Sequence, residues 1–214
     1  MSDNDIIQHF LRLTQLKALY TIKHMEVVQL GDPVLRQKAQ PVTEFTDELR
    51  SFINEMFDTM IEAEGVGLAA PQVGKSSRFF VIIADDDVRR VFINPQIVST
   101  SSDLVPFEEG CLSIPKVYEK IMRPEKVTVQ AQDEFGKKFL LEADGLLARV
   151  IQHENDHLDG ILYIDKGDAD FKKKIEEQFA KREERRKAKL AQKKAKQAKL
   201  QAKLAKKGGK SPDA

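Results

Sequence analysis

From residue 78 to residue 141 no stretch of the chain reads as a helix, and this limits the possible folds more than any other feature. Short runs of apolar and β-branched residues at 79–84, 91–94, 96–99, 126–132 and 138–141 are the predicted strands. Parallel neighbours need a long, usually helical crossover between them. Here the connections are short, with turn signals at Asp85-Asp86-Asp87 and Glu134-Phe135-Gly136. The sheet is therefore expected to be mainly antiparallel and the fold α+β.

Helices are expected on either side of this region. Thr46 is a candidate N-cap, and Leu49, Phe52, Ile53, Met56, Phe57 and Met60 form an apolar stripe that must end by Gly65. Residues 65–74 contain three glycines and a proline, which rules out ordinary helix or a central strand. A second helix is expected from about 143 to 157, ended by Gly160. Residues 25–45 look irregular, with Gly31-Asp32-Pro33 and Pro41 as punctuation.

The chain divides into three parts: 1–24, 25–170 and 171–214. In the first, Ile6, Phe10, Leu13 and Tyr20 recur at helical spacing, predicting a short amphipathic helix that packs on the body, dimerises or touches a membrane surface. The last is rich in Ala, Lys, Glu and Gln, with hardly any apolar residue after Phe179. It reads as a solvated helix with disordered final residues.

Charge separates body from tail. Residues 171–214 carry 17 basic residues against 5 acidic, a net of +12, while residues 1–170 carry 18 against 29, a net of −11. The tail should seek a polyanion and the body should not. The single cysteine, Cys111, excludes an intrachain disulfide and makes a reducing, cytoplasmic setting the expectation. No run of about 18 apolar residues exists, so no transmembrane helix is expected. The acidic start, Met1 to Asp5, resembles neither a secretory signal nor a transit peptide.

The strongest chemical signal is Gln152-His153-Glu154-Asn155-Asp156-His157. On a helix, residues four apart share a face, so His153 and His157 can both address one ion. Glu154 lies about 100° around the helix, near the ion without ligating it, where it can take a proton from water. Leu146, Val150, His153 and His157 form one stripe, so the histidines face inward rather than out to solvent. A third ligand is needed. Glu176 or Glu177, Asp165 and Cys111 all compete for that place, and taken alone Cys111 reads as an ordinary buried thiol.

Three blocks then occur in order: Gly65-Val66-Gly67-Leu68-Ala69-Ala70-Pro71-Gln72, Glu109-Gly110-Cys111-Leu112-Ser113, and the histidine block. Together they resemble the signature motifs of the peptide deformylases, which remove the formyl group from the initiator methionine of nascent polypeptides. The resemblance covers about 25–165 and includes Leu30-Gly31-Asp32-Pro33-Val34-Leu35-Arg36. Residues 1–24 then form an extension or reflect the choice of start site.

The resemblance implies antiparallel sheets packed around a central helix that carries the histidines, with helical extensions at both ends. It implies Cys111, His153 and His157 as metal ligands and Glu154 as general base, later general acid. Gln72 and the Leu112 amide would donate to the oxyanion. Val66 and Gly67 would bind the peptide main chain, with Gly110 beside them. Leu146, Val150 and Phe107 would wall the methionine pocket. The implied ion is Fe²⁺, with Zn²⁺, Ni²⁺ or Co²⁺ able to replace it. Arg123 is expected to pair with Glu109, and Arg149 to pack its stem while its head reaches solvent. The basic tail is expected to dock on ribosomal RNA through phosphate contacts.

Overall fold

Thr46 accepts a hydrogen bond from the Leu49 amide at 3.3 Å, and Asp47 and Glu48 occupy the first helical turn. The cap satisfies an orphan donor and the acids complement the helix dipole. Helix α1 therefore starts where the sequence places it and runs Asp47–Glu62. The structure, a computed structural model, describes residues 25–208. The amphipathic helix expected in 1–24 and the last residues of the tail lie outside that range.

A five-stranded antiparallel sheet has the order β1-β2-β3-β6-β7, with β1 Gly67–Ala69, β2 Phe79–Ile83, β3 Arg89–Thr100, β6 Val127–Gln132 and β7 Lys138–Ala143. Alternation along the strands decides what each face meets. Phe79, Val81 and Ile93 pack with Ile53, Met56, Phe57 and Met60 of α1. Phe80, Ile82, Phe92 and Val129 face the opposite way, onto Ala148, Val150, Ile151 and Leu158 of α2, Gly145–Leu158. Each such fully buried side chain stabilises by about 1.5–3 kcal/mol.

Two departures from expectation concern strands. The segments 91–94 and 96–99 are one strand, β3. Pro95 offers no amide to the ladder, yet the chain absorbs it as a register shift between Ile93 and Gln96 rather than a break. Asn94 takes a positive φ of 50° there, and its side chain bonds both the amide and the carbonyl of Val42 at 2.8 Å.

The second departure is a hairpin of β4, Leu104–Cys111, and β5, Ile114–Pro124, joined by Leu112 and Ser113. Pro106, Pro115 and Gly110 obscure its alternation in the sequence. It forms a separate two-stranded sheet. Helix α2 lies between this hairpin and the five-stranded sheet. Arg149 donates to the carbonyls of Val105 at 2.7 Å and Ile121 at 3.1 Å, and Gln152 to Pro124 at 2.9 Å. The helix carrying the histidines is therefore central, as expected.

Beyond α2 the chain turns sharply at Gly160, with φ +73°, where a Cβ would stand 2.7 Å from the Arg36 carbonyl oxygen. Only glycine combines that conformation with that approach. A division into two compact units falls between Lys166 and Gly167. The second unit holds helix α3, Ala169–Gly208, started by Asp168, which accepts from the amides of Asp170 and Phe171. Among the described residues no helix is long and apolar enough to cross a membrane.

Candidate metal centre

Helix α2 places His153 and His157 one turn apart, both buried, with ring centroids 5.1 Å from each other. Strand β4 ends at Cys111, whose Sγ lies 3.3 Å from His157 Nε2. Donor atoms of Cys111, His153 and His157 all fall within 4.8 Å of one another, and this is the only such group of ligating side chains among the described residues. Asp165 is committed elsewhere: it pairs with Arg36 at 2.5 Å and accepts the Leu162 amide. Glu176 and Glu177 lie in α3. A thiolate and two imidazoles suit a first-row divalent ion.

Glu109, the neighbour but one of Cys111, organises the surroundings. Its carboxylate accepts from Arg123 at 2.6 and 2.9 Å, from Arg149 at 2.9 Å and from His153 Nδ1 at 2.9 Å. That bond uses up Nδ1 and leaves Nε2 of His153 as the nitrogen that could ligate an ion. Burial alone would raise the Glu109 pKa, but the bonds from His153 and Arg123 hold it at about 2. Burial likewise opposes a charge on His153, yet Cys111 and Glu109 raise it to about 10. The ring thus sits in an anionic field, which a bound cation would satisfy in place of the proton. Burial and the nearby His153 charge push His157 well below its ordinary value.

Glu154 is buried, and one of its carboxylate oxygens, Oε2, has no partner. Burial pushes its pKa up to about 7, the range in which a carboxyl can both take and return a proton. Gln72 accepts the Ala69 amide at 2.7 Å through Oε1, which turns its Nε2 towards Cys111 Sγ and Ser113 Oγ, each at 3.4 Å. A groove of about 690 Å³ runs past these groups, lined by Val66, Gly67, Gln72, Phe107, Gly110, Cys111, Leu112, Leu146, Val150, His153 and Glu154. His157 is not among the lining residues. A slightly larger depression of about 750 Å³, near the start of α2 between Ser99, Lys126 and Glu142, contains none of the ligating side chains.

Gly67 makes this arrangement possible. A Cβ there would lie 2.5 Å from Glu154 Oε1 and 2.6 Å from Val150 Cγ1. Gly67→Ala should therefore displace the carboxylate. Misplacement by about 1 Å can cost on the order of 100-fold in rate, and steady-state turnover of the variant measures it. Wild-type turnover in Gly67→Ala would show that the position of Glu154 does not matter.

Two residues around the centre, Tyr163 and Asp156, were given no role by the sequence, and a third, Arg149, takes a different one from that expected. Tyr163 stacks on His153, with centroids 5.9 Å apart, and its hydroxyl donates to the Val117 carbonyl at 3.0 Å. Asp156 pairs with Arg123 at 2.5 Å. Arg149 does not send its head to solvent as expected; it is 5% exposed, and its guanidinium bonds inward to Glu109 and the hairpin. A buried carboxylate needing more than one cation draws it in. The expected pairing of Arg123 with Glu109 is present. Asp156 was legible only as part of the histidine block, and Tyr163 only as part of an apolar run.

The polypeptide deformylase family model matches residues 24–173. The chain belongs to that family. A peptide deformylase of Treponema pallidum is 54% identical over 144 residues, covering 67% of this chain and 88% of the relative. Another, from Chromobacterium violaceum, is 46% identical over 74% of this chain and 96% of its own length. Among solved structures, the peptide deformylase of Synechococcus elongatus in complex with actinonin superposes with a TM-score of 0.68 at 46% identity, over 72% of this chain and 85% of its own. Peptide deformylase 1B of Arabidopsis thaliana gives 0.72 at 36% identity, over 76% and 92%. As a peptide deformylase, the chain is a hydrolase that removes N-formyl groups from peptides.

Proposed function

We propose that this deformylase acts on the formyl-methionine end of nascent polypeptides, with one divalent ion held by Cys111, His153 and His157. The observation that carries this reading is the convergence of those three donors beside Glu154, which lines the same groove and keeps one carboxylate oxygen without a partner. When bound, the ion supplies Lewis acidity at the formyl oxygen and makes water acidic enough to ionise near neutral pH. Fe²⁺ is the proposed ion, following the family resemblance, with Zn²⁺, Ni²⁺ and Co²⁺ acceptable to the same donors.

The chain's own groups do the rest. Strand β1 is an edge strand, so Gly67, with Val66 just before it, offers main chain to an extended peptide. Reading main chain suits an enzyme that meets many different N-termini. Leu146, Val150 and Phe107 wall the methionine pocket, with Gly110 giving close approach on the other strand. Glu154 takes a proton from the attacking water. The Gln72 side-chain amide and the Leu112 N–H donate to the oxyanion formed at the formyl carbon, each such donor worth about 3–4 kcal/mol of barrier. Glu154 then returns the proton to the leaving nitrogen, the carbon–nitrogen bond breaks, and formate and a free amine result. Release of formate from formyl-Met-Ala-Ser by anaerobically iron-loaded protein tests the reading; no formate would end it.

Charge supports a partner as well. The +12 tail is proposed to contact ribosomal RNA through nonspecific phosphate interactions, in a reducing cytoplasm where Cys111 stays unoxidised. Binding of this kind weakens steeply with salt. Cosedimentation with ribosomes at low salt should be lost when residues 180–214 are deleted. Unchanged cosedimentation of the truncated protein would remove the tail from the account.

A further inference from the structure

The ligands come from two elements that share no strand pairing. Cys111 ends β4 of the hairpin, while His153 and His157 ride on α2. Something must hold the two in register to a fraction of an ångström. Arg123 joins Glu109 to Asp156, side chain to side chain. Arg149 does something different. Rooted in α2, its guanidinium reaches Glu109 Oε1 and also the main-chain carbonyls of Val105 and Ile121, one on each strand of the hairpin. Its fork of donors can bridge three acceptors, which a lysine's point charge cannot do at the same angles.

We propose that Arg149 is a positioning residue for the metal centre: it clamps the hairpin to α2 and turns Glu109 onto His153 Nδ1, so that Cys111 and the histidines converge. This rests on the reading of Cys111, His153 and His157 as ligands. Arg149 touches none of the three itself. It acts through Glu109 on one side and through the strand that ends at Cys111 on the other.

Cobalt binding by the full-length protein tests this without relying on turnover. Co²⁺ is titrated against a competing chelator, and the visible absorption bands report the coordination geometry. Arg149→Met, which keeps the stem's bulk and removes the donors, is expected to bind Co²⁺ about 10–100-fold more weakly, as loss of supporting hydrogen bonds around a metal site typically does, with altered bands. Arg149→Lys should fall between it and wild type. Ile53→Ala, a core change on the far face of the sheet, lowers thermal stability and should leave Co²⁺ affinity unchanged. If Arg149→Met does not fold, Arg149→Lys decides. Wild-type affinity and spectrum in the folded Arg149 variants, or equal weakening in Ile53→Ala, would overturn the inference. Failure of the wild type itself to bind Co²⁺ and release formate would instead sink the ligand reading beneath it.

Discussion

Glu154→Gln should reduce formate release from formyl-Met-Ala-Ser by about 10²–10⁴-fold, the range that general acid–base catalysis contributes, while the ion stays bound. Glutamine preserves the side chain's volume beside Gly67 and Val150, so the groove keeps its shape. It cannot take a proton from water or return one to the leaving nitrogen. The Glu154 carboxyl is suited to both steps because burial holds its pKa at about 7 and one oxygen is uncommitted. Metal content and turnover must be measured on the same preparation. A metal-replete Glu154→Gln protein within tenfold of wild type would exclude Glu154 as the base.

Cys111→Ser should lose the ion, and activity with it. A serine hydroxyl stays protonated where a thiol ionises beside a metal, so the set would drop from three ligands to two neutral imidazoles. With Cys111 as a direct ligand, as proposed, the loss should exceed the roughly 10–100-fold typical of supporting residues. Elemental analysis after dialysis against a weak chelator measures it. The outcome also separates this enzyme from a metallopeptidase ligated by a downstream glutamate, which would keep its ion. Retention of stoichiometric metal by Cys111→Ser would reopen the choice of third ligand.

Local pattern carried most of the architecture. The cap at Thr46, the stripe of α1, the turns at Asp85 and Glu134 and the antiparallel sheet all follow from short-range residue preferences, and the structure has them. The histidine pair was legible for the same reason: helical spacing alone places both rings on one face. What was not legible depends on partners distant in sequence. The β4–β5 hairpin carries three prolines and charges of both signs, so its alternation is weak, and its place is set by contacts with α2. Arg149 shows this most clearly. Nothing near it in sequence explains a buried arginine; its reason is Glu109, 40 residues away. Asp165 and the tail glutamates were reasonable ligands by residue type, and only the fold shows Asp165 engaged with Arg36 and the Leu162 amide.

The hairpin has a further consequence for how the centre opens. Two-stranded sheets have little stability of their own, and β4–β5 shares no ladder with the five-stranded sheet. It is fastened mainly by side chains, Arg149 and Gln152 from α2, Arg123 at Asp156 and Tyr163 at Val117, with one main-chain bond from the Leu30 amide to the Ser113 carbonyl. Partial opening of this one element would carry Cys111 away while β2 and the buried centre of β3, Phe92 and Ile93, packed between two helices, stay intact. Amide hydrogen exchange should then show hairpin protons exchanging through a low-energy local opening, and those of β2 and β3 only through global unfolding. Equal protection in both would mean the hairpin is not an independent unit. If it is, the lifetime of a bound ion is governed by the breathing of twenty or so residues (about 104–124) rather than by the stability of the whole domain.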